Sequence, residues 1–296
     1  MSDLKFPLLD LKGLSEPITK LIETVGNAVG IVYEPMKIRR KAKAEADAAI
    51  ILAHAKTEVQ EIQVRAAERL LRREVRRQKN IEQITQMAAG ALPQTVSSDP
   101  VDEDWVSRFF GHCQDVSNEQ MQGLWAKLLA GEVARPGTFS ARTLRVVADL
   151  HSEEADQFTN FCTFLWHRDD GMPIPVIREA SGEYVRRAGL TFYSFIDLQS
   201  LGLIDFRTIG GFGIGSGDPF RISYYGKAYI LTPPQGKNKV PVGVALLTIV
   251  GQQLAPIAGG TPSEDYRESV VVWWQEKHIK IEECQEGMAN EHRETS

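Results

Sequence analysis

The stretch that decides the fold is residues 117–150, SNEQMQGLWAKLLAGEVARPGTFSARTLRVVADL. Ser117 and Gln120 form a capping box, a pattern that satisfies free backbone N–H groups at the start of a helix. Apolar side chains then recur every three or four residues, which is the period of one helical face. Gly131 stands where this helix is expected to end. The apolar face consists of Met121, Leu124, Trp125, Leu128 and Leu129.

Two further helices are predicted around this stretch. Ser140 can cap a helix through Leu150, and Ser152 can cap the next, because serine side chains accept hydrogen bonds from the first backbone amides of a helix. Glu153 and Glu154 then lie in the first turn, where the helix dipole favours acids. We therefore predict a helical domain over residues 105–168.

A linker precedes this domain. Residues 91–104, ALPQTVSSDPVDED, carry prolines, serines and acids without periodicity. Before it, residues 36–89 contain no proline and no glycine and are rich in helix formers, so residues 1–90 are predicted to form a helical arm. A thin apolar stripe on such a helix is typically buried against another chain or against its own body. The stripe consists of Ile50, Leu52, Val59, Ile62, Leu70, Leu71, Val75, Ile81 and Ile84.

The arm begins with an amphipathic helix that is followed by Pro35 and a basic run. An apolar helical face next to cations is typical of a membrane-surface anchor, in which the cations meet anionic lipid. We therefore predict a membrane or partner surface here. Its residues are Leu14, Ile18, Leu21, Ile22, Val25, Val29, Lys37, Arg39, Arg40 and Lys41.

A second basic cluster lies on the long helix. The simplest interpretation is a solvent-exposed helix face on which arginines form ion pairs with acidic residues four positions away. The alternatives are contact with a membrane surface or with nucleic-acid phosphates. The basic face consists of Arg65, Arg69, Arg72, Arg73, Arg76 and Arg77.

The C-terminal part has a different character. A helix starting at Thr191, a strand starting at Leu203, a glycine-rich tip at 210–218 and a β-rich return at 219–231 predict a winged-helix-like α+β module over residues 169–285. Residues 286–296 are expected to be a disordered tail. The predicted fold class is mainly α with a small β component.

Motifs for catalysis are missing from the sequence. The glycines of 210–218 lead into a strand rather than a helix and no G-K-[ST] follows, which favours a hairpin tip over a phosphate loop. The three cysteines form no C-x-x-C pair, and the six histidines show neither H-x-x-x-H nor H-E-x-x-H spacing, so neither residue type predicts a metal site. The net charge of −5 excludes bulk attraction to polyanions, and no stretch is apolar enough to span a membrane. We expect no enzyme, no catalytic residue, no cofactor and no metal, in a cytoplasmic, peripherally membrane-associated protein.

A family resemblance adds to this interpretation. Residues 119–158, EQMQGLWAKLLAGEVARPGTFSARTLRVVADLHSEEADQF, resemble a bacterial domain family of unknown function with a W-A-[KR]-L-L-A-G-E helix and a P-G-[ST]-F-S turn. Residues 20–48 are similar to the N-terminal part of that family. The resemblance implies a structural motif and no catalytic residue. Its residues here are Trp125, Leu128, Leu129, Gly131, Glu132, Pro136, Gly137, Phe139 and Ser140.

A second resemblance concerns function. The LWAKLLA helix and the HSEEA step are similar to abortive-infection alpha proteins, which implies a role in phage defence. The leading hypothesis is a non-enzymatic bacterial anti-phage protein that self-assembles and binds a membrane or phage-derived surface. The expected partners are further copies of the chain, a second defence protein and anionic membrane. The alternative is a winged-helix nucleic-acid-binding regulator.

Overall fold

The computed structural model describes residues 15–29, 58–215 and 217–284, and the chain forms two compact units, 1–148 and 149–296. The described residues form ten helices and nine short strands. This confirms the predicted fold class, mainly α with a small β component. The predicted ranges 1–90, 91–104, 105–168, 169–285 and 286–296 divide the chain differently and stay predictions.

Unit 1 is a helical bundle. Its elements are α1 (Glu16–Val29), α2 (Glu58–Ala91), α3 (Glu103–Cys113), α4 (Glu119–Ala134) and α5 (Ala141–Asp149). Helix α2 packs mainly along α4, while α1 packs on α3 and α4. The core contains Trp105, Phe109 and Trp125, whose neighbouring rings lie 5.2 Å apart. The helices on both sides of the predicted linker therefore share one core.

The ends of α4 differ from the prediction. Asn118, not Ser117, caps the helix, and its side chain accepts a hydrogen bond from the Met121 amide at 3.1 Å. Gly131 does not end the helix, which continues to Ala134. A Cβ at residue 131 would lie 2.7 Å from the ring of Phe139. The glycine is therefore needed for close packing of the following turn against α4, not for helix termination.

Unit 2 combines five helices with short antiparallel sheets. The helices are α6 (Ser152–Cys162), α7 (Glu183–Arg187), α8 (Phe192–Ser200), α9 (Ile249–Ala258) and α10 (Glu264–Glu276). The strands are β1 (Leu165–Arg168), β2 (Pro173–Pro175), β3 (Ile204–Phe206), β4 (Phe212–Ile214), β5 (Phe220–Tyr224), β6 (Lys227–Thr232), β7 (Val240–Gly243), β8 (Ala245–Leu247) and β9 (Lys280–Glu283).

The sheets explain how unit 2 closes. The largest has the order β2-β1-β5-β6-β9, and β3-β8 and β4-β7 form two separate pairs. Trp166 on β1 packs against Trp274 on α10, with ring centroids 5.0 Å apart. The Trp274 indole donates a hydrogen bond to the Pro241 carbonyl at 2.8 Å. One aromatic core thus joins the five-stranded sheet, α10 and β7.

The predicted hairpin around the glycine-rich segment is wrong. Strand β3 pairs with β8, and residues 212–214 form β4, which pairs with β7. The hairpin in this region is β5–β6, which turns at Tyr225 and Gly226, both with positive φ. Strands β3 and β4 instead pair with strands that lie far away in the sequence. These are β8 and β7, formed by residues 240–247, whose apolar side chains are mostly buried.

Candidate functional site

The candidate site is the long helix α2, whose two halves have different surroundings. From residue 77 onward, side chains facing α4 are covered, and Asn80, Ile81, Ile84 and Ala88 are buried. From 61 to 76 nearly every side chain is exposed. Only the first group therefore belongs to the bundle core.

A buried polar cluster marks where α2 enters the bundle. The Asn80 amide group donates to the Gln114 carbonyl at 2.9 Å and to the Ser117 hydroxyl at 3.2 Å. The Gln122 amide group donates to the Val116 carbonyl at 2.9 Å and to the Asn80 side-chain oxygen at 3.3 Å. Because buried polar groups are costly without partners, this cluster sets the register of α2 against the α3–α4 connection.

An ion-pair cluster lies one turn before it. The Arg77 guanidinium donates two hydrogen bonds to Asp115, from Nε at 2.9 Å and from Nη2 at 2.7 Å. Arg76 reaches the same carboxylate at 3.3 Å, and Glu74 pairs with Arg77 at 3.1 Å. The hydrogen bonds from Arg77 lower the pKa of Asp115 below its ordinary value. Two of the six predicted basic-face residues therefore hold α2 to the bundle.

The exposed half carries two surfaces on different sides of the helix, with centres about 130° apart. Four arginines share one side, because positions spaced by four, three and four residues stack at 3.6 residues per turn. We call Arg65, Arg69, Arg72 and Arg76 the arginine row. The other side bears Val64, Leu70, Leu71 and Val75, which we call the apolar arc. Leu70, Leu71 and Val75 are 56%, 41% and 48% exposed.

The predicted surface on α1 is largely used within unit 1. Leu21 and Val25 are buried in the bundle, and Ile18 and Ile22 are half-buried. This apolar face is therefore covered by α3 and α4 rather than free for a membrane or a partner. The remaining predicted residues, Leu14, Lys37, Arg39, Arg40 and Lys41, and the side chain of Val29, lie outside the described residues.

The family motif forms a packed turn between α4 and α5. Trp125, Leu128, Leu129 and Phe139 are buried, and the Trp105 indole donates to the Phe139 carbonyl at 2.7 Å. Ser140 accepts a hydrogen bond from the Thr143 amide at 3.2 Å, as its predicted capping role requires. The side chains of this turn therefore act in folding.

Glu132 is the unusual member of the motif, because it is a buried carboxylate. Its oxygens accept hydrogen bonds from the amides of Gly137 at 2.6 Å and Phe139 at 2.9 Å. Burial raises its pKa, while these amides and that of Thr138 act in the opposite direction. The carboxylate thus holds the turn that follows Pro136, a role that the sequence pattern did not indicate.

Unit 2 contains two cavities along one face of α10. One of about 230 Å³ is lined by Phe164, Tyr184, Tyr266 and Trp273, and one of about 320 Å³ includes Arg187 and Asn160. The buried Tyr266 hydroxyl already donates to the Val176 carbonyl at 2.5 Å and accepts from the Trp166 indole at 3.2 Å. It therefore has little capacity left to bind a ligand.

Two searches of the described residues gave negative results. Across 15–29, 58–215 and 217–284, no group of three or more histidine, cysteine or acidic side chains is placed to hold a metal ion. Within the same ranges, no helix combines the length and the apolar character that crossing a bilayer requires.

The sequence did not indicate Asp115, Asn80 or Gln122 as parts of this site. Asp115 lies 38 residues from Arg77, so no local spacing relates the two. A signal existed for Asn80, because it is a polar residue on the face that Ile81 and Ile84 continue. Buried polar residues on an apolar face usually have a specific partner.

Comparison with known proteins identifies one family. A family model described as "Protein of unknown function (DUF2806)" matches residues 64–271, which is more than half of the chain. No match was found among the curated proteins or among the solved structures. The resemblance to a domain family of unknown function is thereby confirmed, and the likeness to abortive-infection alpha proteins stays a prediction.

Proposed function

Because the chain belongs to the DUF2806 family, whose function is unknown, we propose its role from the geometry of α2. The protein is a non-enzymatic anti-phage defence protein that self-assembles through the apolar arc. The observation that carries self-assembly is the exposure of Leu70, Leu71 and Val75 on a regular helix. The defence role rests on the similarity of residues 119–158 to abortive-infection alpha proteins.

The energetics favour covering the apolar arc. Burial of apolar surface contributes roughly 25 cal/mol per Å², and this contribution favours pairing of two arcs against the entropy cost of association. A second copy is the natural occupant, because a two-fold axis brings the same patch of both copies together. The centre of the arginine row lies about 130° around α2 from that of the apolar arc, so most of these like charges stay outside such a contact.

Light scattering coupled to size exclusion tests the assembly. We expect wild type to have a multiple of the chain mass of 33.0 kDa. The double variant Leu71→Glu/Val75→Glu should have the mass of one chain, because charges replace the apolar contact. The matched control Ile209→Glu/Ile249→Glu changes two exposed apolar residues of unit 2 and should keep the wild-type mass. A monomeric wild type, or an assembled arc variant, contradicts the proposal.

The defence role is tested in cells infected with a panel of phages. Expression of wild type should reduce plaque numbers, and Leu71→Glu/Val75→Glu should abolish that protection while the control double variant keeps it. Unchanged plaque numbers across the panel with wild type contradict the role in defence, independently of the measured mass.

Engagement of a membrane or phage-derived surface is assigned to the basic run of Lys37, Arg39, Arg40 and Lys41. Flotation with vesicles containing anionic lipid measures it. Wild type should float, and Arg39→Glu/Arg40→Glu/Lys41→Glu should not, because anionic lipid attracts clustered cations. Flotation that is insensitive to these substitutions would remove the basic run from the proposal.

The alternative of a winged-helix nucleic-acid regulator has less support in unit 2. The expected wing, residues 210–218, contains no lysine or arginine. The strands that flank it are β3, which pairs with β8, and β5, which pairs with β1 and β6, so the two do not pair with each other. A nucleic-acid contact requires cations, and within the chain they are concentrated on α2 instead.

A further inference from the structure

The arginine row is the most strongly charged exposed surface on α2. Between residues 61 and 79 the helix carries seven basic and three acidic residues, although the whole chain has a net charge of −5. The side chains of Arg65, Arg72 and Arg76 are well exposed, and Arg69 is exposed as well. A local excess of positive charge thus stands out on an acidic protein.

The ion pairs that the arginine row already makes leave its guanidinium groups available to bind a ligand. Arg65 and Arg72 pair with Glu61 at 3.4 Å and Glu68 at 3.8 Å on their own helix. Exposed pairs of this kind contribute little to stability, so a phosphate can replace them. Among the described residues, Arg69 has no ion-pair partner. Only Arg76, at the bundle end, is tied to another element, through Asp115.

The geometry of the row suits a linear polyanion. At 1.5 Å per residue, the eleven steps from Arg65 to Arg76 span about 16 Å along one helix side. All four cations are arginines, whose planar guanidinium groups bind phosphate oxygens through two parallel hydrogen bonds. A rod of this length bearing arginines fits the regularly spaced phosphates of a nucleic-acid backbone.

A lipid surface fits the same helix less well. A helix lying in a membrane interface turns its apolar side into the lipid. On α2 that side is interrupted by a charge, because the exposed Glu74 follows Leu70 by four residues and Leu71 by three and lies between them on the helix surface. Interfacial helices also typically carry aromatic side chains on the apolar side, and α2 contains none from Glu58 to Ala91.

We infer that the arginine row binds the phosphate backbone of nucleic acid, without sequence preference. The contact uses arginines that lie outside the apolar arc, so it does not depend on self-assembly or on the defence role. Base recognition is not part of it, because phosphate contacts position a protein on nucleic acid without carrying sequence information.

Fluorescence anisotropy with the full-length protein tests the inference. The probes are a labelled 30-nucleotide single strand and a 30-base-pair duplex, titrated between 50 and 200 mM salt. Arg69→Glu/Arg72→Glu removes two members of the row. The matched control Arg142→Glu/Arg145→Glu changes net charge equally at exposed positions of α5 in the same unit.

Wild type should bind either probe, with an affinity that falls steeply with salt as counterions are released. Arg69→Glu/Arg72→Glu should lose at least tenfold in affinity at 100 mM salt, and its salt slope should fall by about two, one for each phosphate contact removed. The control should stay within about twofold of wild type, and circular dichroism should show that both variants are folded.

Three results would overturn the inference. The first is the absence of binding by wild type at 50 mM salt. The second is an equal loss in both double variants, which would indicate bulk charge rather than the row. The third is binding to anionic vesicles, but not to either nucleic acid, that depends on Arg69 and Arg72, which would assign the row to a membrane.

Discussion

The two halves of α2 both carry apolar residues at helical spacing, but their surroundings differ. Ile62 in the first half is 64% exposed, whereas Ile84 in the second half is 0% exposed. Both halves mix apolar residues with charged and polar ones at helical spacing. The difference arises from the position of α4, which packs along the second half. The comparison teaches that apolar spacing identifies a helical face but does not reveal what covers it.

The largest expected effect is a difference in the free energy of unfolding between substitutions in the two halves. Ile84→Ala should reduce the free energy of unfolding by about 2–4 kcal/mol, because it removes buried methyl groups and leaves a cavity. Ile62→Ala removes the same atoms from an exposed side chain outside the apolar arc and should change it by less than about 0.5 kcal/mol. Urea denaturation followed by tryptophan fluorescence measures both. Equal losses would mean that the halves share one environment.

An intermediate effect is expected at the entry to the bundle. Asn80→Ala removes the partner of the Gln114 carbonyl and one acceptor of Gln122, so stability should fall by about 1–2 kcal/mol. The control, Gln83→Ala, changes an exposed amide on the same helix and should have almost no effect. If the two variants unfold at the same urea concentration, the polar cluster does not hold α2 in register.

The smallest effect concerns the ion-pair cluster at the boundary of the halves. The pKa of Asp115 is lower in the folded protein than in the unfolded chain. Its stabilising contribution is therefore complete above the ordinary aspartate pKa of about 3.9 and is lost as pH falls through the folded value. Asp115→Asn should be less stable than wild type at neutral pH, and the difference should shrink below about pH 4.

Thermal unfolding between pH 3 and pH 7 measures this difference. Asp197→Asn, an exposed substitution on α8, serves as the control and should follow the wild-type curve. A stability difference between Asp115→Asn and wild type that stays constant down to pH 3 would show that the carboxylate is not the group responsible.

Much of the helical fold could be predicted from local patterns. The periodic apolar residues of 121–129, the caps at Ser140 and Thr191 and the absence of proline from 36–89 each predicted helix, and the described parts are helical. These signals are local, because a helix satisfies its backbone hydrogen bonds within a few residues. The pairing of the strands was harder to predict, because paired strands such as β3 and β8 lie about 40 residues apart in the sequence.

At the candidate site, too, local features could be predicted from the sequence and long-range contacts could not. The arginines of α2 were recognised as a basic cluster, but the sequence could not separate the arginine row from Arg77, which binds Asp115. Helical spacing predicts which side chains share a side of α2. It does not predict which of them meet another element, since that depends on where the chain returns after a turn.

The sequence by itself determined that α2 is a long helix with apolar and basic sides, and that 117–150 packs as helices joined by a turn. The tertiary structure alone decided that α1 covers the bundle core, that Gly131 admits Phe139, and that residues 61–76 remain exposed. The physical reason is the range of the interactions. Helix formation depends on neighbours three and four residues away, whereas burial depends on contacts between residues far apart in the chain.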